Sequence, residues 1–410
     1  MPAPVPAPAA RAAATLADVL GVLRLGSDAT VGVARIAEAL HATILHRIGI
    51  AGAPRGGRAS GLTGGIYDAV RGVARLSGRG FAALSGSGLT QSASVPSSPA
   101  RDAALAVLNG VWGDHLVATG NPLAIPMQWR RGGEVLASNR AGLAQQLPQA
   151  TGHIAVLVHG LCMNDRQWLR DGHDHGAELA QTAGVTPVYL FYNSGRHVSE
   201  NGRDLATALG ALLAAWPVPV TDISLIGHSM GGLVLRSACH VAAQGDQPWL
   251  ALVKRLVCLG TPHHGAPLER GGRVVDGLFG LSRYAAPFVR LGQVRSAGIT
   301  DLRWGNVQDA DWQGRDRFDQ HHDDRQPTPL PAGVPTYLLA ATTAAHASSR
   351  RSRWLGDGLV PLASAWGEHP HPTLALAVPA DHRRLITAAN HWDLLSHPQA
   401  GEALRDWFSR

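Results

Sequence analysis

From residue 101 onward, short uninterrupted apolar runs alternate with stretches in which apolar residues recur every three or four positions. The runs are HIAVLVHG (153–160), TPVYLFYN (186–193), DISLIGH (222–228), KRLVCLG (254–260), VPTYLLAA (334–341) and TLALAVP (373–379). Apolar runs of this length, without polar alternation, predict strands buried on both faces. Helical patterns lie between the early runs, at about 200–215 and 231–243. Strand and helix in alternation predict a mostly parallel sheet covered on both sides. Upstream, Asp102–Val111 reads as a helix, and Ala124–Trp129 and Glu134–Ala137 read as a hairpin around RRGG.

The first hundred residues have a different texture. Residues 1–9 alternate Pro and Ala and carry no core pattern. Val33, Ile36, Ala37, Leu40, Ile44 and Ile48 share one helix face, and Ile66, Tyr67, Val70 and Val73 share another. Such stripes usually dock on the chain's own core, with a membrane surface or a partner as the alternatives. Residues 85–100, SGSGLTQSASVPSSPA, read as a linker. The expected organisation is a helical N-terminal extension over 1–100 and an α/β domain over 101–410.

Composition adds limits. Of 410 residues, 45% are hydrophobic and 16% charged, which fits a folded globular chain. Residues 1–150 hold 13 Arg against 7 acidic residues, and 151–410 hold 23 of each sign, so the net charge of +6 lies wholly in the N-terminal part. No block of like charge occurs, so no nucleic-acid partner is expected and the N-terminal helices are the candidates for peripheral membrane contact. Nothing fixes an oligomeric state. Cys162, Cys239 and Cys258 give no disulfide framework, which suits a reducing, cytoplasmic setting. The start lacks a basic segment before its apolar run, and no stretch of about 18 uncharged apolar residues occurs, so neither a secretory signal nor a membrane span is expected.

Gly227-His228-Ser229-Met230-Gly231 has the form G-x-S-x-G. The motif is short enough to arise by chance, but here a strand runs into it and a helix leaves it. That setting places a Ser hydroxyl at the top of a sheet on a strained turn, with glycines where side chains would clash. Ser229 is therefore the candidate nucleophile, and His228 a packing residue. His159-Gly160-Leu161 ends the first strong strand, at the sheet edge where open α/β sheets bind ligands. The N–H groups of Leu161 and Met230 are the candidate oxyanion donors, fixed in place before charge develops.

Ser, acid and His should follow in that order. Asp357, in GDGLVP after 334–341, is the candidate acid, with Asp276 and Asp393 as rivals. His391, in ANHWDLL after 373–379, is the candidate base, with His382 and His397 nearby. His159, Gly160, His263 and His264 are candidates for the substrate pocket wall. The pairs His173/His175, His263/His264 and His321/His322 form no recognised ligand array such as H-E-x-x-H, so no metal and no other cofactor is expected. Residues 262–333 separate two strands by about 70 positions, too far for an ordinary loop, and predict a cap or lid. Its apolar stretch 278–292 could meet acyl chains or pack on the domain below.

Together VLVHGLCMND, LIGHSMGGLVLRS, LGTPHHGAPLERGG, GDGLVP and NHWDLLSHP resemble bacterial esterase/lipase-family α/β-hydrolases, and more closely the GPI inositol-deacylase-like branch of lipases. The resemblance covers about 150–410. It implies an α/β-hydrolase fold, Ser229 as nucleophile, Asp357 as acid, His391 as base, and Leu161 and Met230 as oxyanion donors. The expected reaction is cleavage of a small-molecule or lipid carboxylic ester through an acyl-enzyme on Ser229. An acyltransferase, phospholipase or polyester depolymerase would use the same triad. A membrane- or partner-binding module is the alternative of another class.

Overall fold

The structure is a computed structural model that describes residues 18–28, 68, 72, 75–80, 98–266, 295–317 and 323–410. The helical stripes at 33–48 and 66–73, the linker, the apolar stretch 278–292, Asp276 and the pair His321/His322 lie outside, or almost wholly outside, the described residues. The described residues form two compact units. The first joins 18–28, 68, 72, 75–80 and 98 to residues 116–124. Inside it, the Arg24 guanidinium donates to the carbonyls of Thr119 and Gly120, and Asn121 donates to the Gly21 carbonyl. No described helix is long and apolar enough to cross a membrane.

The second unit, 99–115 with 125–410, carries the sheet. Its strands are β1 (Gln128–Arg131), β2 (Glu134–Val135), β3 (His153–Val158), β4 (Thr186–Phe191), β5 (Asp222–His228), β6 (Val253–Leu259), β7 (Thr336–Thr342) and β8 (Arg383–Thr387). They form one eight-stranded sheet in the order β2-β1-β4-β3-β5-β6-β7-β8. β1 is antiparallel to β2 and to β4, and the pairings from β4 through β8 are parallel. The chain order reverses at β3, between β4 and β5, and this is where such sheets open a crevice at their carboxyl edge.

The helices used below are α1 (Pro99–Ala118), α2 (Arg140–Gln146), α3 (His175–Ala183), α4 (Val198–Ala215), α5 (Met230–Gln244), α6 (Ala297–Asp301), α7 (Arg350–Leu355), α8 (Leu362–Ala365) and α9 (Pro398–Ser409). Successive residues of a strand face opposite ways, so each central strand feeds two cores. Ala155, Leu157, Ile226, Val257 and Leu259 pack with Leu179 of α3 and Leu404 and Trp407 of α9 on one face. The other face is covered by α5, which packs on β5 and against α4. Two-sided burial is why these strands read as unbroken apolar runs.

One predicted strand is wrong. Residues 373–379 are turn and loop, and the last strand is β8, RRLIT. Leu376 and Val378 are apolar because they fill a gap beneath the loop, with the Leu376 N–H bonded to the Gly367 carbonyl. β8 is an edge strand with only Ile386 buried, so the half-buried Arg383 and the exposed Arg384 break its apolar signature. The hairpin forms two to four residues later than expected at its first strand, and α1 runs further than its predicted core, with a kink at Trp112.

Between β6 and β7, the described part of the long insertion is anchored to the helical layer. His197 at the start of α4 stacks on Trp312 at 3.6 Å and pairs with the buried Asp301 of α6. Asp301 also accepts the Val198 N–H, Ser199 donates to Asp309, and Ser237 of α5 donates to the Val307 carbonyl. Residues 295–311 are thus tied at several points to α4 and α5.

Candidate active site

Ser229 caps α5 at the end of β5 with φ 54° and ψ −127°, a region that side chains avoid. The turn is held by the Ser229 N–H, which donates to the Leu259 carbonyl at 2.8 Å. Space dictates the glycines. A Cβ on Gly231 would sit 2.1 Å from the Val158 carbonyl oxygen, and one on Gly227 would sit 2.5 Å from the Gly232 nitrogen. Both obstacles are backbone, so neither can swing aside. The side chain of Ser229 is presented above the carboxyl edge, at the N-terminus of α5, where the helix dipole favours developing negative charge.

His391 follows β8 and Asp357 follows β7, both at the same sheet edge. The His391 Nδ1–H donates to Asp357 Oδ2 at 2.7 Å, with both side chains buried. Asp357 Oδ1 accepts the N–H groups of Leu359 and Val360 at 3.0 and 2.8 Å. The Asp357 carbonyl accepts the His391 N–H at 3.1 Å, so the two loops are pinned to each other through backbone and side chain. With Nδ1 taken, Nε2 is the ring nitrogen available for proton transfer. Gly260 has φ 58°, and a Cβ there would stand 3.1 Å from the His391 ring, so the β6 exit also leaves room for this imidazole.

The rival acids and bases are engaged elsewhere. Asp393 accepts the Asn390 N–H at 2.7 Å and shapes the turn itself. His382 bonds the Thr336 carbonyl and stacks on Tyr337 at the beginning of β7, the amino edge. His397 caps α9. His228 is fully buried, and its Nε2–H donates to the His391 carbonyl at 3.2 Å, while burial holds its pKa well below the ordinary value. It therefore supports the turn that carries His391, beyond simple packing.

The loop after β3 lies directly against Ser229. A Cβ on Gly160 would be 2.9 Å from Ser229 Cβ. Neither the Leu161 N–H nor the Met230 N–H donates to another described residue. His159 does not face that space. It is wholly buried, stacks on Tyr192 at 4.4 Å, and its Nδ1–H donates to the Gly160 carbonyl at 2.8 Å. Burial lowers its pKa to about 4, against the opposing effect of that bond, so it is neutral near pH 7. His159 is thus bonded to the loop that follows it.

His263 and His264 are likewise turned to other partners. His263 is buried with Nδ1 3.3 Å from Arg236, and His264 Nδ1 accepts from Arg325 at 3.2 Å. Arg325 also grips Asp323 and the carbonyls of His263 and Gly305. These two histidines brace the base of the insertion.

Several supporting residues were not singled out from the sequence. Cys162 has φ 60°, and its N–H donates to Ser194 Oγ at 3.0 Å. Gly110 of α1 lies against it, since a Cβ there would meet Cys162 Sγ at 2.2 Å. Ser296 donates to the Gly110 carbonyl at 2.6 Å, and Asn193 donates to the Gly113 carbonyl at 3.0 Å. Glycines inside a helical pattern were the available signal, since they weaken a helix unless something must come close.

Set beside known proteins, residues 149–322 match the family model described as PGAP1-like alpha/beta domain. A triacylglycerol lipase of Burkholderia plantarii is 32% identical over 138 residues, which is 33% of this chain and 36% of that protein. A triacylglycerol lipase of Pseudarthrobacter phenanthrenivorans is 33% identical over 121 residues, 28% of this chain and 35% of that one. The chain spans about a third of the length of these curated relatives. Among solved structures, the mature Bacillus licheniformis lipase BlEst2 aligns with TM-score 0.41 and 19% identity, covering 62% of this chain and 91% of that one.

Proposed function

We propose that this chain, which has the α/β-hydrolase fold and resembles esterases and lipases, is a serine hydrolase of carboxylic esters. The observation that carries the reading is the buried Asp357–His391 pair at 2.7 Å, on the same sheet edge as the strained Ser229 turn. Ser229 Oγ attacks the ester carbonyl and its proton passes to His391 Nε2. Asp357 holds the Nδ1–H tautomer and stabilises the imidazolium. The N–H groups of Leu161 and Met230 receive the oxyanion. Collapse of the tetrahedral intermediate expels the alcohol, protonated by His391, and leaves an acyl group on Ser229. Water, deprotonated by His391, then releases the acid.

The related proteins are triacylglycerol lipases by name. Their similarity over a shared segment supports an ester as substrate without selecting a glyceride. The decisive experiment is labelling with a fluorophosphonate, mapped to a residue, alongside hydrolysis of p-nitrophenyl esters of graded acyl length. The label is expected on Ser229, and Ser229→Ala is expected to lower kcat by on the order of 10^6. Retained hydrolysis in Ser229→Ala, or a label on another residue, refutes the assignment.

A further inference from the structure

Away from Ser229, three side chains with metal-binding chemistry converge at the start of α3. Donor atoms of His173, His175 and Glu178 lie within 4.8 Å of one another. We propose that His173 Nε2, His175 Nδ1 and Glu178 Oε2 bind one divalent cation of the zinc class, clamping residues 170–178 to the turn that carries His391.

The backbone presents these ligands rigidly. Arg170 and His173 exchange both backbone hydrogen bonds at 2.8 Å across Asp171 and Gly172, whose φ values are 51° and 78°. Two central residues with positive φ make the tight hairpin turn that matches strand twist, so His173 is fixed at its end. Asp174 then caps α3 by accepting the Ala177 N–H at 2.9 Å. His175 is the first helical residue, and Glu178, three positions on, lies one turn along the same face.

The protons are arranged for a cation. His175 Nε2 lies 2.9 Å from the Leu394 carbonyl, which can only accept, so Nε2 carries the hydrogen. His175 Nδ1 therefore points a lone pair at His173 Nε2, 2.8 Å away. Donation of the second ring N–H to a backbone carbonyl is the habit of metal-bound histidines. Arg405 pairs with Glu178 Oε1, whereas Glu178 Oε2 is buried with no hydrogen-bond partner, 3.7 Å from His173 Nε2.

Two of the three donor spacings bracket the value expected for zinc. Donors around a tetrahedral Zn2+ with bonds of about 2.0–2.1 Å are about 3.3 Å apart. The His–His and His–Glu separations of 2.8 and 3.7 Å lie on either side of that value. Binding needs only that His173 move its proton from Nε2 to Nδ1, with water as the fourth ligand. Two imidazoles select zinc-like cations over Mg2+ and Ca2+, which prefer all-oxygen sites. No familiar motif marks the pattern His-x-His-x-x-Glu in the sequence, because the hairpin must form before the first His reaches the others. Leu394 lies three residues beyond His391, so the ion would stiffen the turn behind the proposed base.

The test uses the full-length protein after chelator treatment, titrated with Zn2+ by calorimetry and with Co2+ by visible absorption. One equivalent of Zn2+ is expected, with a rise in melting temperature and d–d bands of four- or five-coordinate Co2+. Both signals should be lost in His173→Ala and in Glu178→Gln, two chemically different changes at sites near the surface. Circular dichroism confirms that each variant is folded. Failure of the wild type to bind up to millimolar metal overturns the proposal. So does equal binding by wild type and both folded variants, which would assign the ion to others of the 20 histidines.

Discussion

Asp357→Asn separates catalysis from stability, because the surroundings of Asp357 dictate which way an amide must point. Oδ1 accepts two backbone N–H groups, from Leu359 and Val360, and Oδ2 accepts one ring N–H. Asparagine has a single acceptor oxygen. Turning it toward His391 would set an NH2 group against two buried backbone donors, at about 1–3 kcal/mol for each group left unsatisfied. The oxygen therefore stays with the backbone and the NH2 faces His391. That forces Nδ1 to accept and Nε2 to carry the proton, the tautomer that cannot deprotonate Ser229. The corresponding change in the Ser-His-Asp template lowers kcat about 10^4, equivalent to about 5 kcal/mol of transition-state stabilisation. Every hydrogen bond survives in the variant, so its stability should fall by less than about 1 kcal/mol. KM should change little, because Asp357 is buried behind the imidazole. Steady-state hydrolysis of a short p-nitrophenyl ester gives kcat and KM, and urea denaturation gives stability. Asp393→Asn is the control: it keeps an oxygen for the Asn390 N–H and should stay within a few-fold of wild type. A kcat within tenfold of wild type for Asp357→Asn, or an equal loss in Asp393→Asn, refutes the reasoning.

Further outcomes follow from packing and burial. Gly231→Ala forces a Cβ onto the Val158 and His159 carbonyls; a cost of about 3 kcal/mol or more and loss of activity are expected, and a wild-type denaturation midpoint would count against the turn geometry. His159 and His175 each have a folded pKa lowered from 6.5 to about 4. The unfolded chain therefore binds more protons below pH 6.5. Stability from these groups is complete above that pH and is lost as pH falls toward 4, by up to about 3 kcal/mol each. Thermal unfolding from pH 7 to 4 should show a falling midpoint, and a flat profile would contradict it. All three cysteines are buried, with pKa values raised to about 12 by burial. Iodoacetamide should leave the native protein unlabelled and its activity unchanged, and rapid modification of Cys162 would show that the loop after β3 opens.

The α/β layering was legible because the central strands are buried on both faces. Their unbroken apolar runs, closed off by Gly, Asn or Pro, are too short to be buried helices. Legibility failed at the sheet margin. β8 hides because it opens on two arginines and buries only Ile386, and 373–379 misleads because a loop can bury Leu376 and Val378 as a strand does. At the candidate site, chain order and strand ends indicated which residues to consider. They could not say that Asp357 and not Asp393 meets the imidazole, which depends on how two loops from adjacent strands interlock. Nor could they orient side chains. His159, His263 and His264 sit beside the right motifs, yet their rings turn inward to a carbonyl or to arginines.

The loop carrying Leu161, the proposed oxyanion donor, is held by segments far from it in the chain. A donor is useful to a developing oxyanion only if it is already in place, because reorganising it would cost what it returns. The loop is short and includes Cys162 in a left-handed conformation that it would not adopt unaided. Three separate segments hold it there. Ser194 accepts the Cys162 N–H, Gly110 of α1 packs on the Cys162 sulfur, and Ser296 from the insertion ties down Gly110. Asn193 joins the first of these segments to α1 at Gly113. The support is therefore shared by the strand β4 exit, the helix before the sheet and the insertion after β6. This arrangement accounts for the two glycines that weaken α1, since any side chain at Gly110 or Gly113 would collide with Cys162 or Asn193. It also links the described part of the insertion to the loop, through Ser296 and Gly110.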